Sequence, residues 1–197
     1  MIDFPKKHNQ PTVYFNEPNF LNYQEVNNLL SLINNIPYSK GEVFSEDSSY
    51  LRKSNVKWLP FSEEFKNIYL KTIEKIHYFN SSAWRFKIKH AEEQFQYTEY
   101  EGNYKGKYDW HVDLGKGNTC TRKISVTIQL SDPTEYEGGE LQLFDPITDK
   151  IDFPYVSIEK AKGTITVFPS FTPHRVTPVT KGIRKSLVLW VGGVPFR

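Results

Sequence analysis

Between residues 22 and 37 the apolar positions Val26, Leu29, Leu30, Leu32, Ile33 and Ile36 recur at helical spacing, and Pro37 closes the run. Asn22 with Glu25 three residues on is a capping-box start for that helix. A second stripe (Phe65, Ile68, Tyr69, Thr72, Ile73, Ile76) follows Pro60. Ser62 is its expected N-cap, Glu63 and Glu64 sit in its first turn, and it should end near Asn80. Elsewhere the period is two. Residues 11–16 and 52–59 read as strands. From Ala83 on, alternation predicts strands over 84–89, 93–100, 123–130, 140–144, 155–158, 163–168, from His174, and over 184–191. Residues 39–50 are polar and rich in turn formers, so they read as a loop, able to fold over a bound chain. The pattern therefore predicts a mainly β protein with N-terminal helices. Two or more helices within 1–80 buttress a jelly-roll core over about 84–197. No repeat, low-complexity tract or linker interrupts residues 1–197, which read as a single domain.

Composition narrows the function classes. The 197 residues suffice for one domain with its own core. Hydrophobic residues make up 38% and aromatics 15%, so the core should be rich in Phe, Tyr and Trp. A net charge of +2, with no basic-aromatic stripe, gives no case for nucleic acid or a membrane surface as partner. The one cysteine, Cys120, rules out an internal disulfide and reads as an incidental thiol. The N-terminal residues lack an apolar signal core, and no run approaches the ~18 apolar residues of a membrane span. The expectation is a soluble, cytoplasmic protein.

The chemistry concentrates in Tyr108-Asp109-Trp110-His111-Val112-Asp113. On a strand, residues i and i+2 share a face, so His111 and Asp113 would enter one space. Two histidines and one carboxylate with open positions suit non-haem Fe(II). The second histidine should lie on a strand folded back beside the first, and His174 is the candidate. Gly138-Gly139 is a turn that permits positive φ or a close backbone approach, and no phosphate-loop pattern follows it.

These segments carry a family resemblance. Residues 108–113, 122–130, 137–144 and 174–186 resemble, in order, the 2-oxoglutarate- and Fe(II)-dependent dioxygenases, on their prolyl 4-hydroxylase and PKHD-type hydroxylase side. The likeness covers roughly the last hundred residues, with a fainter match at 52–59. It implies a double-stranded β-helix (jelly roll) with Fe(II) held by the catalytic triad His111, Asp113 and His174. It implies 2-oxoglutarate as co-substrate, its far carboxylate on Arg184 with Ser186 adding a hydroxyl, O2, and ascorbate as reductant. A tyrosine before the 101–107 turn would help hold 2-oxoglutarate: Tyr100 matches best, and Tyr97 remains open because the turn is longer than usual. Ile128, Leu141, Val176 and Trp190 are the expected apolar walls. Retention of Asp113 points to hydroxylation, since related halogenases replace that carboxylate. Arg184 departs from the lysine of collagen-type enzymes. The implied substrate is a prolyl residue of a peptide or protein, with residues 52–59 bordering its groove, although Arg52 reads equally as a solvated surface charge. Two other readings stay open: a dioxygenase of a free amino acid or nucleobase, and a non-catalytic jelly-roll binding module. Oligomeric state is not encoded legibly.

Overall fold

The computed structural model describes residues 12–40, 48–91, 93–147 and 154–196. Most of the loop expected at 39–50, from 41 to 47, lies outside them, as does residue 11 of the first expected strand. The described residues are mainly β, with two long helices and two antiparallel sheets. The larger sheet runs Phe15–Glu17, Ile165–Pro169, Arg122–Gln129, Val179–Gly193, Phe95–Glu101, Asn55–Leu59, Ser39–Lys40, with Ile88–Ala91 and Tyr136–Gly138 also on the long strand Val179–Gly193. The smaller runs Tyr155–Ser157, Leu141–Phe144, His174–Val176, Lys107–His111, Arg52–Lys53.

The first helix, Tyr23–Asn34, starts on the expected box: Asn22 Oδ1 accepts from Glu25 N (2.9 Å) and Glu25 Oε2 accepts from Asn22 N (2.7 Å). It buries Val26, Leu29 and Ile33. It stops three residues before Pro37, its last turn closed by Ile36 N donating to Ile33 O. The second helix, Lys66–Ser82, begins later than expected, and Ser62 is not its cap. A turn closed by Phe65 N on Ser62 O delays it, and the Ser62 hydroxyl has no recorded partner. Tyr69 then ties this helix to the larger sheet, its hydroxyl donating to Leu59 O and accepting from Phe95 N (both 2.7 Å).

The strand expected at 84–89 is a turn, and pairing starts only at Ile88. Arg85 sits at φ 55°, and Asn80 clasps Phe86, donating to its carbonyl and accepting from its amide (2.9 Å each). The alternation there reflects aromatic packing, with Trp84 edge-on to Phe15. The strand expected at 52–59 is two strands in two sheets, broken at Ser54. The segment expected at 184–191 belongs to one longer strand, Val179–Gly193.

The larger sheet has two working faces. Ile124, Val126, Ile128, Leu187, Leu189, Val191, Phe95 and Tyr97 form the core beneath the helices. The opposite parity on the same strands turns inward, toward the smaller sheet. This is where the site lies.

Candidate active site

An open cleft of about 790 Å³ separates the sheets, and the expected residues meet in it. Antiparallel register sets His174 directly across from His111, so both rings leave the same face of the smaller sheet. Asp113 follows the strand end, anchored by its amide donating to Ser170 O (2.9 Å). His111 Nε2 lies 3.7 Å from one Asp113 oxygen and His174 Nε2 3.4 Å from the other. The ligand atoms of all three lie within 4.8 Å of one another. Ligands bonded to one ion at about 2.1 Å, at right angles, stand about 3 Å apart, so the three side chains could hold one ion if they drew together.

The surrounding groups fix the ligands. His111 Nδ1 sits 2.7 Å from Asp109 O, and His174 Nδ1 2.9 Å from Thr172 O. A carbonyl only accepts, so each Nδ1 carries the proton and each Nε2 directs a lone pair into the centre. Ser125 Oγ donates to Asp113 Oδ2 (2.7 Å) and is itself 3.0 Å from Ser170 Oγ. Burial first, then the facing His174, hold the His111 imidazolium well below the usual histidine range, so the ring is neutral at neutral pH. Burial alone would raise the Asp113 carboxyl. The facing His174 and His111, with the Ser125 hydroxyl, outweigh it and keep the carboxyl below its ordinary value.

At the other end of the cleft Arg184 is only 2% exposed. Its Nη1 donates to Ser186 Oγ (3.2 Å), and its guanidinium lies 5.6 Å from the Tyr100 ring centre. Arg184 pairs with Tyr100 across the sheet. Strand parity separates the two candidate tyrosines: Tyr100 lines the cleft, whereas Tyr97 faces the helices with its hydroxyl on Glu99 (2.6 Å). Leu141, Val176 and Trp190 line the cleft as expected, but Ile128 does not. It faces the helices, and Thr127 takes its place. Sequence reading also missed Ser125 and Ser170. Period-two parity on residues 122–129 would have put Ser125 on the site face.

A facial 2-His-1-carboxylate centre with open positions, set between antiparallel sheets, defines a class of site suited to non-haem Fe(II). The chain belongs to the 2OG-Fe(II) oxygenase superfamily, whose sequence model matches residues 95–192. A PKHD-type hydroxylase of Paraburkholderia xenovorans is 30% identical over 137 residues, 67% of this chain and 55% of that protein, so the chain spans about half that relative's length. Another, from Saccharophagus degradans, is 28% identical over 183 residues, 88% of this chain and 76% of that protein. A prolyl hydroxylase of Trichoplax adhaerens, solved with a peptide of hypoxia-inducible factor, superposes with a TM-score of 0.73 at 21% identity, covering 91% of this chain and 83% of that one. At that identity the likeness concerns the fold.

Proposed function

We propose that this chain is an Fe(II)- and 2-oxoglutarate-dependent dioxygenase with a double-stranded β-helix core that hydroxylates a prolyl residue in a peptide or protein. The observation that carries the chemistry is the triad of His111, Asp113 and His174, with both Nε2 lone pairs turned inward by carbonyls behind the rings. When bound, Fe(II), 2-oxoglutarate and O2 supply the oxidising power to hydroxylate an unactivated C–H while 2-oxoglutarate becomes succinate and CO2. The chain's own residues do the rest. His111, Asp113 and His174 would hold the metal. Arg184 holds the far carboxylate of the co-substrate, with Ser186 and Tyr100 beside it. Leu141, Val176, Val188 and Trp190 keep the space between dry. Ascorbate would keep the iron reduced between turnovers.

The substrate class rests on the size of the cleft and on the relatives. At about 790 Å³, with Arg52, Trp58, Glu93 and Arg122 lining it as well as the triad, the cleft has room for part of a peptide chain beside the co-substrate. The PKHD-type and prolyl hydroxylase names of the proteins above support the same class. Among the described residues no helix is long and apolar enough to cross a membrane.

The test is a turnover screen read by mass spectrometry, with Fe(II), 2-oxoglutarate and ascorbate, against proline-rich peptides, free amino acids and oligonucleotides. The expected result is succinate together with one added oxygen atom on a proline-containing peptide. Oxygen added only to a free amino acid or a nucleobase would replace the prolyl reading. No iron-dependent succinate with any partner would leave a binding module.

A further inference from the structure

The glycine pair of Glu137-Gly138-Gly139-Glu140 packs against Arg184 and Tyr136. Gly138 and Gly139 both adopt positive φ, +73° and +58°. A Cβ at Gly139 would stand 2.8 Å from Val179 Cγ2, 3.1 Å from Arg184 Cδ and 3.2 Å from Tyr136 Cε2. The turn is thus bare of side chain where Tyr136 and Arg184 come together. Tyr136 is 4% exposed, on the short strand Tyr136–Gly138 that pairs with the long strand carrying Arg184.

The hydroxyl of Tyr136 has a defined hydrogen-bond state. Gln129 Nε2 is 3.0 Å from it and 3.3 Å from Ser131 O. Ser131 O only accepts, so the amide nitrogen, not the oxygen, must face it. The second proton on that nitrogen then goes to Tyr136, which accepts. The Arg184 guanidinium acts on the same hydroxyl as a donor, Lys160 lies over the ring with its Nζ 5.3 Å from the ring centre, and Glu140 acts on the phenol only through its charge, with no hydrogen bond to it. Tyr136 therefore keeps its own proton, and among the described residues no acceptor is recorded for it. A buried phenol with an unspent proton beside a buried cation suits one ligand, an anion that can accept from both.

We propose that Tyr136 is a second binding residue for the far carboxylate of the co-substrate, donating its hydroxyl proton to the carboxylate that Arg184 neutralises. The inference rests on the function proposed above and adds to it a residue outside the four matching segments' ligand set. It also gives the Gly-Gly turn a reason. The turn lets an aromatic ring and an arginine stem share one small volume behind Arg184, the residue that lines both the cleft and that volume. A small void of about 10 Å³, room for about one water, adjoins Arg184, Tyr136 and Gln129. Of these three residues Arg184 also lines the cleft, so a carboxylate that it holds lies next to this void.

Calorimetry of the whole chain loaded with Mn(II) without O2 tests this. Two probes are titrated: 2-oxoglutarate, and oxalate, which offers the metal a similar two-oxygen chelate but no far carboxylate. Tyr136→Phe keeps the ring and removes the proton. The expected result is about tenfold weaker binding of 2-oxoglutarate, the loss that ~1.4 kcal/mol of a charge-assisted hydrogen bond gives. Oxalate binding should not change, and the melting temperature should fall only by the few degrees that stranding the Gln129 amide proton costs. Unchanged 2-oxoglutarate affinity overturns the proposal, as does an equal loss for both probes, which would mark Tyr136 as packing only. Should Tyr136→Phe melt early, Tyr136→His, which can still donate, is expected to bind 2-oxoglutarate more tightly than Tyr136→Leu; equal affinities overturn the proposal. If the wild type binds oxalate but not 2-oxoglutarate, or Arg184→Ala leaves 2-oxoglutarate binding intact, the function proposed above fails. If Arg184→Ala loses affinity and Tyr136→Phe does not, only this inference fails.

Discussion

Replacing Arg184 with Met should weaken 2-oxoglutarate binding without weakening the ligand-free protein. Arg184 is 2% exposed, and among the described residues no carboxylate forms an ion pair with it. Its contacts are a hydroxyl at 3.2 Å, the Tyr100 face and the Tyr136 ring. A buried cation without a counter-charge is a cost to folding, and a methionine of similar length removes that cost while filling the space. The ligand-free variant should therefore melt no lower than the wild type. Binding moves the other way. Losing one partner of a buried charge pair costs ~2–5 kcal/mol. At about 1.4 kcal/mol per decade, affinity falls by roughly 30-fold to several thousand-fold. At a concentration of about 100 Kd, 2-oxoglutarate stabilises the wild type by about 2.7 kcal/mol. A 30-fold loss cuts this to about 0.9 kcal/mol by the same relation. For a chain of this size the thermal shift would drop from roughly 5–11 °C to roughly 2–4 °C. Differential scanning calorimetry with Mn(II), with and without 2-oxoglutarate, reads both terms. An undiminished shift would refute the assignment. A ligand-free variant that melts several degrees lower would show that the wild-type cation already has a partner.

Alanine at His111, Asp113 or His174 should abolish metal-dependent succinate formation while the circular dichroism spectrum persists; full activity in any two of the three variants would discard the triad. Acid should destabilise the metal-free protein below the usual histidine value of about 6.5. His111 is held below that value and Asp113 below its own, so in both cases the unfolded chain binds protons first and stability falls as pH falls. A melting temperature that rises between pH 6.5 and pH 4 would contradict this. Gly139→Ala should lower the melting temperature, since left-handed backbone costs roughly 1 kcal/mol in a non-glycine residue and the new Cβ crowds Val179 and Arg184. It should also weaken 2-oxoglutarate binding, measured calorimetrically, whereas Gly117→Ala, whose Cβ meets nothing within 4 Å, should leave that binding unchanged.

Two pairs were legible from periodicity alone: His111 and Asp113 share a face by strand spacing, and so do Arg184 and Ser186. The placing of His174 beside the first pair, and the part given to Arg184, came from the family resemblance, because no spacing links segments 63 residues apart. The choice between Tyr97 and Tyr100 was not legible, because it required the register of Phe95–Glu101 against Val179–Gly193, which pairs Tyr100 with Arg184. Ile128 was misplaced for a related reason. Both faces of Arg122–Gln129 are buried, one under helices and one under the smaller sheet, so apolar character alone marks no direction. The second helix began later than Ser62 suggested because a turn from Pro60 to Phe65 took up the intervening residues. Tyr136 and Gln129 escaped notice because their meaning lies in a shared proton count, and that count exists only once the long strand brings Arg184 to them.

Residues 52–59 show how one alternating run can serve two sheets. Arg52 pairs with Tyr108 in the smaller sheet, while Asn55 pairs with Glu99 in the larger. The break at Ser54 carries the chain across the end of the cleft. The Arg52 side chain then reaches back over the gap, its Nη2 donating to Gln96 Oε1 (2.6 Å) and its Nε to Ser54 Oγ (2.7 Å). Its guanidinium lies 4.9 Å from the Tyr108 ring centre, and that ring stacks on His111 at 3.5 Å and 12°. Arg52 is therefore not a free surface charge. It clasps the two sheets, and on the proposed function their distance matters there, because His111 and His174 stand on one and Arg184 on the other. A co-substrate that bridges metal and arginine tolerates little error in that spacing, on the order of half an ångström. The sheets are joined there by one side chain that reaches Gln96 and Thr98 of the larger sheet while it lies over Tyr108 of the smaller, and the ring it covers lies against His111.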